Sequence, residues 1–421
     1  MIYFWLVVVL IAVPAAAQPD SAIRRPLLTT LVIEALRNNP EIQAARRERD
    51  AAQHRIAPAG ALDDPMFEAG VINLPTNSLR VDREDMTMKM IGISQRFPYP
   101  GKRDLRLDVA IKDAETVGHG YQETVNRVVR DVKTTYFDLS LTVDITRLLE
   151  KNKLIVEQLL RITEGRYAAG MGRQTDVLKA QTQLSKMTDE LIKLARERKI
   201  VEAELNRMLG RTTSFAALVP ESPQLREDIL SMESLREMAL TQRPQLRALQ
   251  SIIAKNEKTL NLARKEYYPD FDVRLSYGQR DRMPDGSRRS DMVSLTVAIN
   301  LPVWRDTKRA PRVAESLAML DQAQSMYEAQ RNEVAMKLSQ QAAAAEQNLK
   351  SAHLYQTSLL PQARLTVEST MSAYRVNQVD FLTLMESQMT VFNTEISMAT
   401  ASANYNKALA EIDFLTGKPP E

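Results

Sequence analysis

No proline interrupts residues 102–168, and the only glycines there are Gly118, Gly120 and Gly165. Within the tract Val125, Val129, Val132, Tyr136, Leu139 and Val143 follow one another at steps of four and three, the spacing of a heptad seam. Such a run predicts one continuous helix roughly 100 Å long at about 1.5 Å per residue. That exceeds anything the core of a compact domain accommodates. A matching tract covers residues 308–374, with Pro311 near its start and Pro361 within it. After each tract a short turn (Gly170-Met171-Gly172; Asn377-Gln378-Val379) leads into a return helix closed by Gly210 or Gly417. Glycine and asparagine suit the left-handed residue that such a turn needs.

The two tracts belong to a unit written twice. Pro40 and Pro244 lie 204 residues apart, and the same offset carries Pro65-Met66-Phe67 onto Pro269-Asp270-Phe271 and Phe97-Pro98 onto Leu301-Pro302. Tyr167, Gln181 and Gly210 fall on Tyr374, Gln388 and Gly417 at an offset of 207. So long a period indicates two copies of one module rather than a solenoid, the first over residues 18–221 and the second over 222–421. Each copy opens with two short helices and continues with two alternating segments, a long helix and a return helix. In the first copy the strands are expected over about 66–74 and 86–97, the long helix over about 102–168 and the return helix over 176–209. In the second they are expected over about 270–278 and 291–301, about 308–374, and 381–415.

The alternation is clearest in the second copy. Phe271, Val273, Leu275 and Tyr277 alternate with Asp272, Arg274, Ser276 and Gly278; Val293, Leu295, Val297, Ile299 and Leu301 alternate with Met292, Ser294, Thr296, Ala298 and Asn300. The first copy is blurrier, with Phe67, Ala69 and Val71 in one segment and Ile91, Ile93 and Phe97 in the other. Segments of about ten residues with one apolar face have the length and pattern of membrane β-strands. A soluble hairpin packed on a helix shows the same alternation, and an export signal tilts the choice toward the membrane. Residues 2–13 are apolar and lead through Pro14 to Ala15-Ala16-Ala17, a signal peptide expected to be cleaved after Ala17. The run falls short of the ~20 residues that span a bilayer as a helix.

Four strands cannot stand in lipid as an open sheet, because their edge N–H and C=O groups would go unsatisfied. The chain must therefore associate. Two copies supply eight strands and three supply twelve, and composition leaves that choice open. Composition does exclude chemistry. There is no cysteine, which removes thiolate metal sites, disulfides and cysteine nucleophiles, and the three histidines are scattered. Lys and Arg total 56 against 53 Asp and Glu, spread along the chain, so there is no concentrated basic face for nucleic acid. No catalytic triad, paired-carboxylate, Walker or dinucleotide pattern occurs, and neither an enzyme nor a cofactor is expected.

Several motifs run in order along this duplicated chain: Glu34-Ala35-Leu36…Asn39-Pro40-Glu41-Ile42, Ile93-Ser94-Gln95-Arg96-Phe97…Gly101-Lys102-Arg103, Arg166-Tyr167-Ala168-Ala169-Gly170…Asp176-Val177-Leu178-Lys179-Ala180-Gln181, and Tyr374-Arg375…Val379-Asp380-Phe381-Leu382-Thr383-Leu384. Through them the mature chain resembles the TolC-type outer membrane factors, the exit ducts of tripartite efflux pumps and type I secretion systems. The resemblance implies a mainly α fold with a membrane β-barrel part: a homotrimer with a twelve-stranded barrel in the outer membrane of a Gram-negative bacterium and long hairpins forming an α-barrel through the periplasm. It also implies partners: a periplasmic adaptor (membrane fusion) protein, an inner-membrane RND-type pump that supplies the energy, and outer membrane lipid. Met86-Thr87-Met88-Lys89-Met90 and Pro98-Tyr99-Pro100-Gly101-Lys102-Arg103 look most like the CusC/CzcC-type heavy-metal members, so heavy-metal cations are the expected cargo. The same duct serving drug efflux or type I protein secretion is the alternative. A periplasmic coiled-coil adaptor or scaffold would show a lipoyl-like β half and no twofold copy of strand pairs.

By the same resemblance the hairpin tips, residues 167–181 and 374–388, close the duct and meet the adaptor. Docking candidates are Gly170, Arg173, Asp176, Leu178, Asn377 and Val379. Gate candidates are Glu386, at a position that is usually acidic in the family, with Thr383 and the nearby Asp380. Three copies of a carboxylate around an axis would attract cations and repel one another, whereas acids at a helix start are also simply favoured by its dipole. Met88 and Met90 align with Met292 and Ser294, also 204 residues on, which gives them the lumen-facing parity. Their thioethers suit a soft metal ion. Lys89 would then face lipid, and a bulge here would reverse the faces and make the methionines lipid-facing bulk.

Overall fold

The structure, a computed structural model, describes residues 28–211, 220 and 231–418. The expected signal peptide, residues 1–17, lies outside them. In chain order the first half holds helices α1 (Leu28–Asn38), α2 (Pro40–His54) and α3 (Ile56–Gly60), strands β1 (Met66–Ile72) and β2 (Met88–Phe97), then α4 (Lys102–Ala168) and α5 (Gln174–Met208). The second half holds α6 (Met232–Gln242), α7 (Pro244–Lys265), β3 (Phe271–Gln279), β4 (Met292–Ile299), α8 (Ala310–Leu354), α9 (Leu360–Arg375) and α10 (Phe381–Thr416). One compact unit is built chiefly from residues 135–211 and 355–403, the other from 32–134, 231–354 and 404–418; α4 and α10 contribute to both. No helix among the described residues is long and apolar enough to cross a membrane.

The unit that carries the strands forms one antiparallel sheet in the order β1-β2-β3-β4. Its register is unbroken: Met66 pairs with Ser94 and Ile72 with Met88, Lys89 with Gln279 and Phe97 with Phe271, Phe271 with Ile299 and Gly278 with Met292. Directly opposed residues share a face, so two faces separate cleanly. Phe67, Ile91, Ile93, Leu275, Val293, Leu295, Val297 and Ile299 stand on one and are exposed. Glu68, Gly92, Ser94, Arg274, Ser276, Ser294 and Thr296 stand on the other. With no residue left over in the ladder there is no bulge, so Met88 and Met90 belong to the small and polar face. Lys89 sits at the rim of the apolar face and pairs with Asp281 at 3.0 Å. β1 and β4 each have a single strand neighbour.

The segment after β2 is bolted to the start of β3. The Asp270 carboxylate accepts from Lys102 Nζ at 2.7 Å, Arg96 Nη2 at 3.0 Å and the Tyr99 amide at 3.0 Å. Lys102 also donates to the Tyr268 carbonyl at 2.8 Å. Burial pushes the Asp270 carboxyl up, but the hydrogen bonds from Lys102, Tyr99 and Arg96 outweigh it and hold the group below the ordinary carboxylate range. In the same unit Leu235 and Ala239 of α6, Val334 and Leu338 of α8 and Tyr405, Ile412 and Leu415 of α10 form a buried core.

Helix starts differ between the copies. Asn39 caps α2, its side chain accepting from the amides of Glu41 and Ile42 at 2.8 and 3.1 Å, with Pro40 at the first helical position. Arg243 holds the matching place before Pro244 and offers no cap. Instead it is buried, reaching Glu123 at 3.4 Å and stacking on Phe414. Burial pushes Arg243 down and Glu123 up, each against the pull of the other. A Cβ at Gly417 would come within 2.7 Å of Arg243 Cα, so only glycine fits there.

In the other unit the second long tract passes through Pro361 without a break. Residues Tyr355–Leu359 form a π turn, and Pro361 falls in the first turn of α9, where its missing N–H costs least. A second π turn, Arg305–Arg309, precedes α8.

Candidate functional site

The two hairpin turns are built alike. Gly170 and Asn377 take left-handed backbone, with φ of 69° and 61°. At the first turn the Met171 amide donates to the Arg166 carbonyl and the Gly170 amide to Tyr167; at the second, Gln378 donates to Ala373 and Asn377 to Tyr374. This is the Schellman pattern that satisfies the last carbonyls of a helix. Gly210 and Gly417 close α5 and α10 in the same way.

Beneath the turns four helices share one core. Leu149, Val156 and Leu159 of α4 meet Ala180 and Met187 of α5, Tyr374 of α9, and Phe381, Leu384, Met385 and Phe392 of α10. Across it Arg166 of the first hairpin clamps the second. Its Nη1 donates to the Tyr374 carbonyl at 2.8 Å, Nη2 donates to Asn377 Oδ1, and the guanidinium stacks 4.6 Å over the Tyr374 ring. Burial pushes the Tyr374 phenol up while Arg166 pulls it the other way. Asn377 is a turn and docking candidate in the sequence and Arg166 part of a separate motif, with nothing to link them; the clamp joins residues 208 positions apart.

Deeper in the same core lies a buried polar pair: Gln388 Nε2 donates to Asn152 Oδ1 at 2.9 Å. Next to it Glu395, itself buried, accepts from Lys151 at 3.3 Å and Arg364 at 2.9 Å and borders a cavity of about 200 Å³. The only signal for this pair was Gln388 as the repeat partner of Gln181.

The expected site residues fall into three groups. Arg173, Leu178 and Asn377 are exposed at the tips and Asp176 is half-buried, while Val379 packs inward against the shared core. Exposed apolar side chains surround them, among them Tyr167, Met171 and Val376. Asp380 is spent on capping α10: its Oδ1 accepts from the Thr383 amide at 3.0 Å and from Thr383 Oγ1 at 2.6 Å. Those two hydrogen bonds, with Lys179 and Arg173 nearby, hold its carboxyl below the ordinary range. Glu386 is exposed on the same face of α10 as Thr383, one turn along. Met88 and Met90 lie in the other unit, on the sheet. No group of three or more His, Asp or Glu side chains among the described residues is placed to hold a metal ion.

Comparison with known proteins agrees with this architecture. The family model described as outer membrane efflux protein matches residues 31–211 and 235–418. MdtQ of Shigella flexneri, named provisionally as a multidrug resistance outer membrane protein, is 21% identical over 80% of this chain and 76% of its own. The alkaline protease secretion protein AprF of Pseudomonas aeruginosa is 20% identical over 91% of this chain and 82% of its own. The crystal structure of the outer membrane protein VceC of Vibrio cholerae superposes with a TM-score of 0.80 at 15% identity, covering 94% of this chain and 97% of that one. With two copies of the strand–hairpin module and a family match spanning both, this chain belongs to the outer membrane efflux protein family.

Proposed function

We propose that three copies of this outer membrane chain join edge to edge into a twelve-stranded barrel continued by a helical duct in the periplasm, and that the duct releases heavy-metal cations delivered by an inner-membrane RND-type pump through a periplasmic adaptor. The observation that carries the duct is the sheet. It is exposed and apolar on one face, small and polar on the other, and has free edges at β1 and β4. In hydrocarbon those edges need partners. Twelve strands leave a passage, whereas eight would be filled by side chains.

The tips fit an adaptor. Gly170, Arg173, Asp176 and Leu178 of the first hairpin and Asn377 of the second are the docking residues, and Val379 positions them from inside the core. Glu386 with Thr383 forms the acidic constriction, three carboxylates around one axis drawing cations in. Asp380, exposed beside them, shapes the start of that helix through its cap on Thr383. MdtQ and AprF are named for drugs and for a protease, which favours drug efflux or protein secretion as the second reading of the cargo.

The test is direct. Protein extracted from the outer membrane should run as a heat-modifiable trimer and conduct in planar bilayers with cation preference. Glu386→Gln should raise single-channel conductance and weaken that preference; unchanged traces would dismiss the acidic constriction. A stable monomer that stays soluble without detergent would dismiss the duct. A deletion strain that loses silver or copper tolerance while keeping drug tolerance supports the metal cargo, and the reverse supports the second reading.

A further inference from the structure

All four methionines in the strands, Met66, Met88, Met90 and Met292, stand on the polar face. Apart from Ile72 they are its only large apolar side chains. Three of them converge on one glycine. The register places Gly70, Met90, Gly278 and Met292 side by side across the four strands. Neighbouring strands lie about 5 Å apart, so the backbones of Met90 and Met292 are about 10 Å apart, with no side chain between them. Met88, two residues before Met90 and so on the same face, fills that gap. A Cβ on Gly278 would overlap Met88 Sδ and lie 3.2 Å from its Cγ. On the far side of Met90 a Cβ on Gly70 would meet nothing within 4 Å, so the row stays open to solvent.

Apolar packing alone does not account for this arrangement. Filling the space over Gly278 needs one side chain, Met88, yet the row sets two further thioethers, Met90 and Met292, on either side of it. Hard ligands are also out of the row. Glu68, on the next row, is paired with Arg274 at 3.0 Å, and Lys89 and Asp281 satisfy each other at the rim. Thioethers without carboxylate or imidazole select soft ions over zinc or magnesium, and methionine's three rotatable bonds let sulfur atoms on adjacent strands meet.

We propose that Met88, Met90 and Met292 form a thioether site for a soft monovalent cation, Cu(I) or Ag(I), on the polar face of the sheet around Gly278. The proposal rests on that face lining the duct, and it deepens the cargo reading by naming the class of ion.

Silver nitrate titrated into the detergent-solubilised trimer in chloride-free buffer, followed by equilibrium dialysis and elemental analysis, tests it. The wild type should retain one silver ion per chain, and excess zinc should not displace it. Met88→Leu/Met90→Leu/Met292→Leu, close in volume, should abolish retention, while Met319→Leu, remote from the strands, should leave it intact. Gly278→Ala removes no sulfur but places a methyl where Met88 Sδ lies, and should weaken binding about tenfold. Met292→Leu alone, at an exposed position, gives the same direction of change should the triple variant fail to assemble. No retention by the wild type, or equal retention by Met292→Leu and Gly278→Ala, overturns the site. Conductance of the same wild-type preparation separates the two readings: a conducting trimer that ignores silver removes the site and leaves the duct standing.

Discussion

The return helices α5 and α10 occupy matching places in the two copies and meet opposite surroundings. α10 buries Phe381, Leu384, Met385, Val391 and Phe392 along its first three turns and continues with Tyr405, Ile412 and Leu415. Charged side chains on it are confined to Glu386, Glu395, Lys407, Glu411 and Asp413. α5 carries charge at nearly every turn, and Ile192 and Ile200 are exposed on it. Duplication thus supplied one helix that is central to its own chain and one with a face left open. Local sequence, not repeat position, decided which. Gln388 sits at 7% exposure bonded to Asn152, while its counterpart Gln181 lies in solvent.

Substitutions at matched or comparable sites either break that contrast or sharpen it. Phe381→Ala empties a fully buried site and should cost about 3–5 kcal/mol, seen as a lower melting temperature of the protein. Leu178→Ala, at an exposed α5 position, should stay within about 0.5 kcal/mol. Equal losses would mean that α5 is as central as α10. Gln388→Leu should leave Asn152 Oδ1 without its donor in the core, at about 1–3 kcal/mol, whereas Gln181→Leu should be nearly silent in the same melting experiment. Arg166→Ala removes a stacked cation from Tyr374, worth about 1 kcal/mol. Hydrogen exchange at the turn around Asn377 should accelerate while the turn at Gly170 stays protected.

The smallest effect concerns pH. Asp380 has its folded pKa lowered by Thr383, so its stabilisation is full above the ordinary carboxylate range and is lost as pH falls through the depressed value. Exchange in the first turn of α10 should therefore quicken on acidification. Asp380→Asn should flatten that response, and α5, whose Arg173 makes no side-chain cap, should show no such cap-linked step.

Much of this was legible in the residues. Alternation in 271–277 and 293–299 marks strands because one side of each meets apolar surroundings. The first strand pair is blurrier since Met66, Ile72, Met88 and Met90 put apolar side chains on the polar face while Lys89 and Gln95 put polar ones on the apolar face. Glycine and asparagine announced the turns because few other residues accept positive φ. The face carrying Met88 and Met90 needed the ladder itself, since one extra residue would have reversed it. Asp380 illustrates a different barrier. An aspartate three residues before a threonine suits both a cap and a constriction, and the cap became visible only with the position of Thr383. The Arg166 clamp was hidden for a simpler reason: contacts between distant repeats leave no local pattern.

The unpaired margins of β1 and β4 also have a genetic consequence. If its siblings complete that rim, as proposed, each chain shares the fate of whatever it joins. When a damaged allele and a sound one are expressed together, mixed rings will outnumber pure ones, and the defect should behave as dominant.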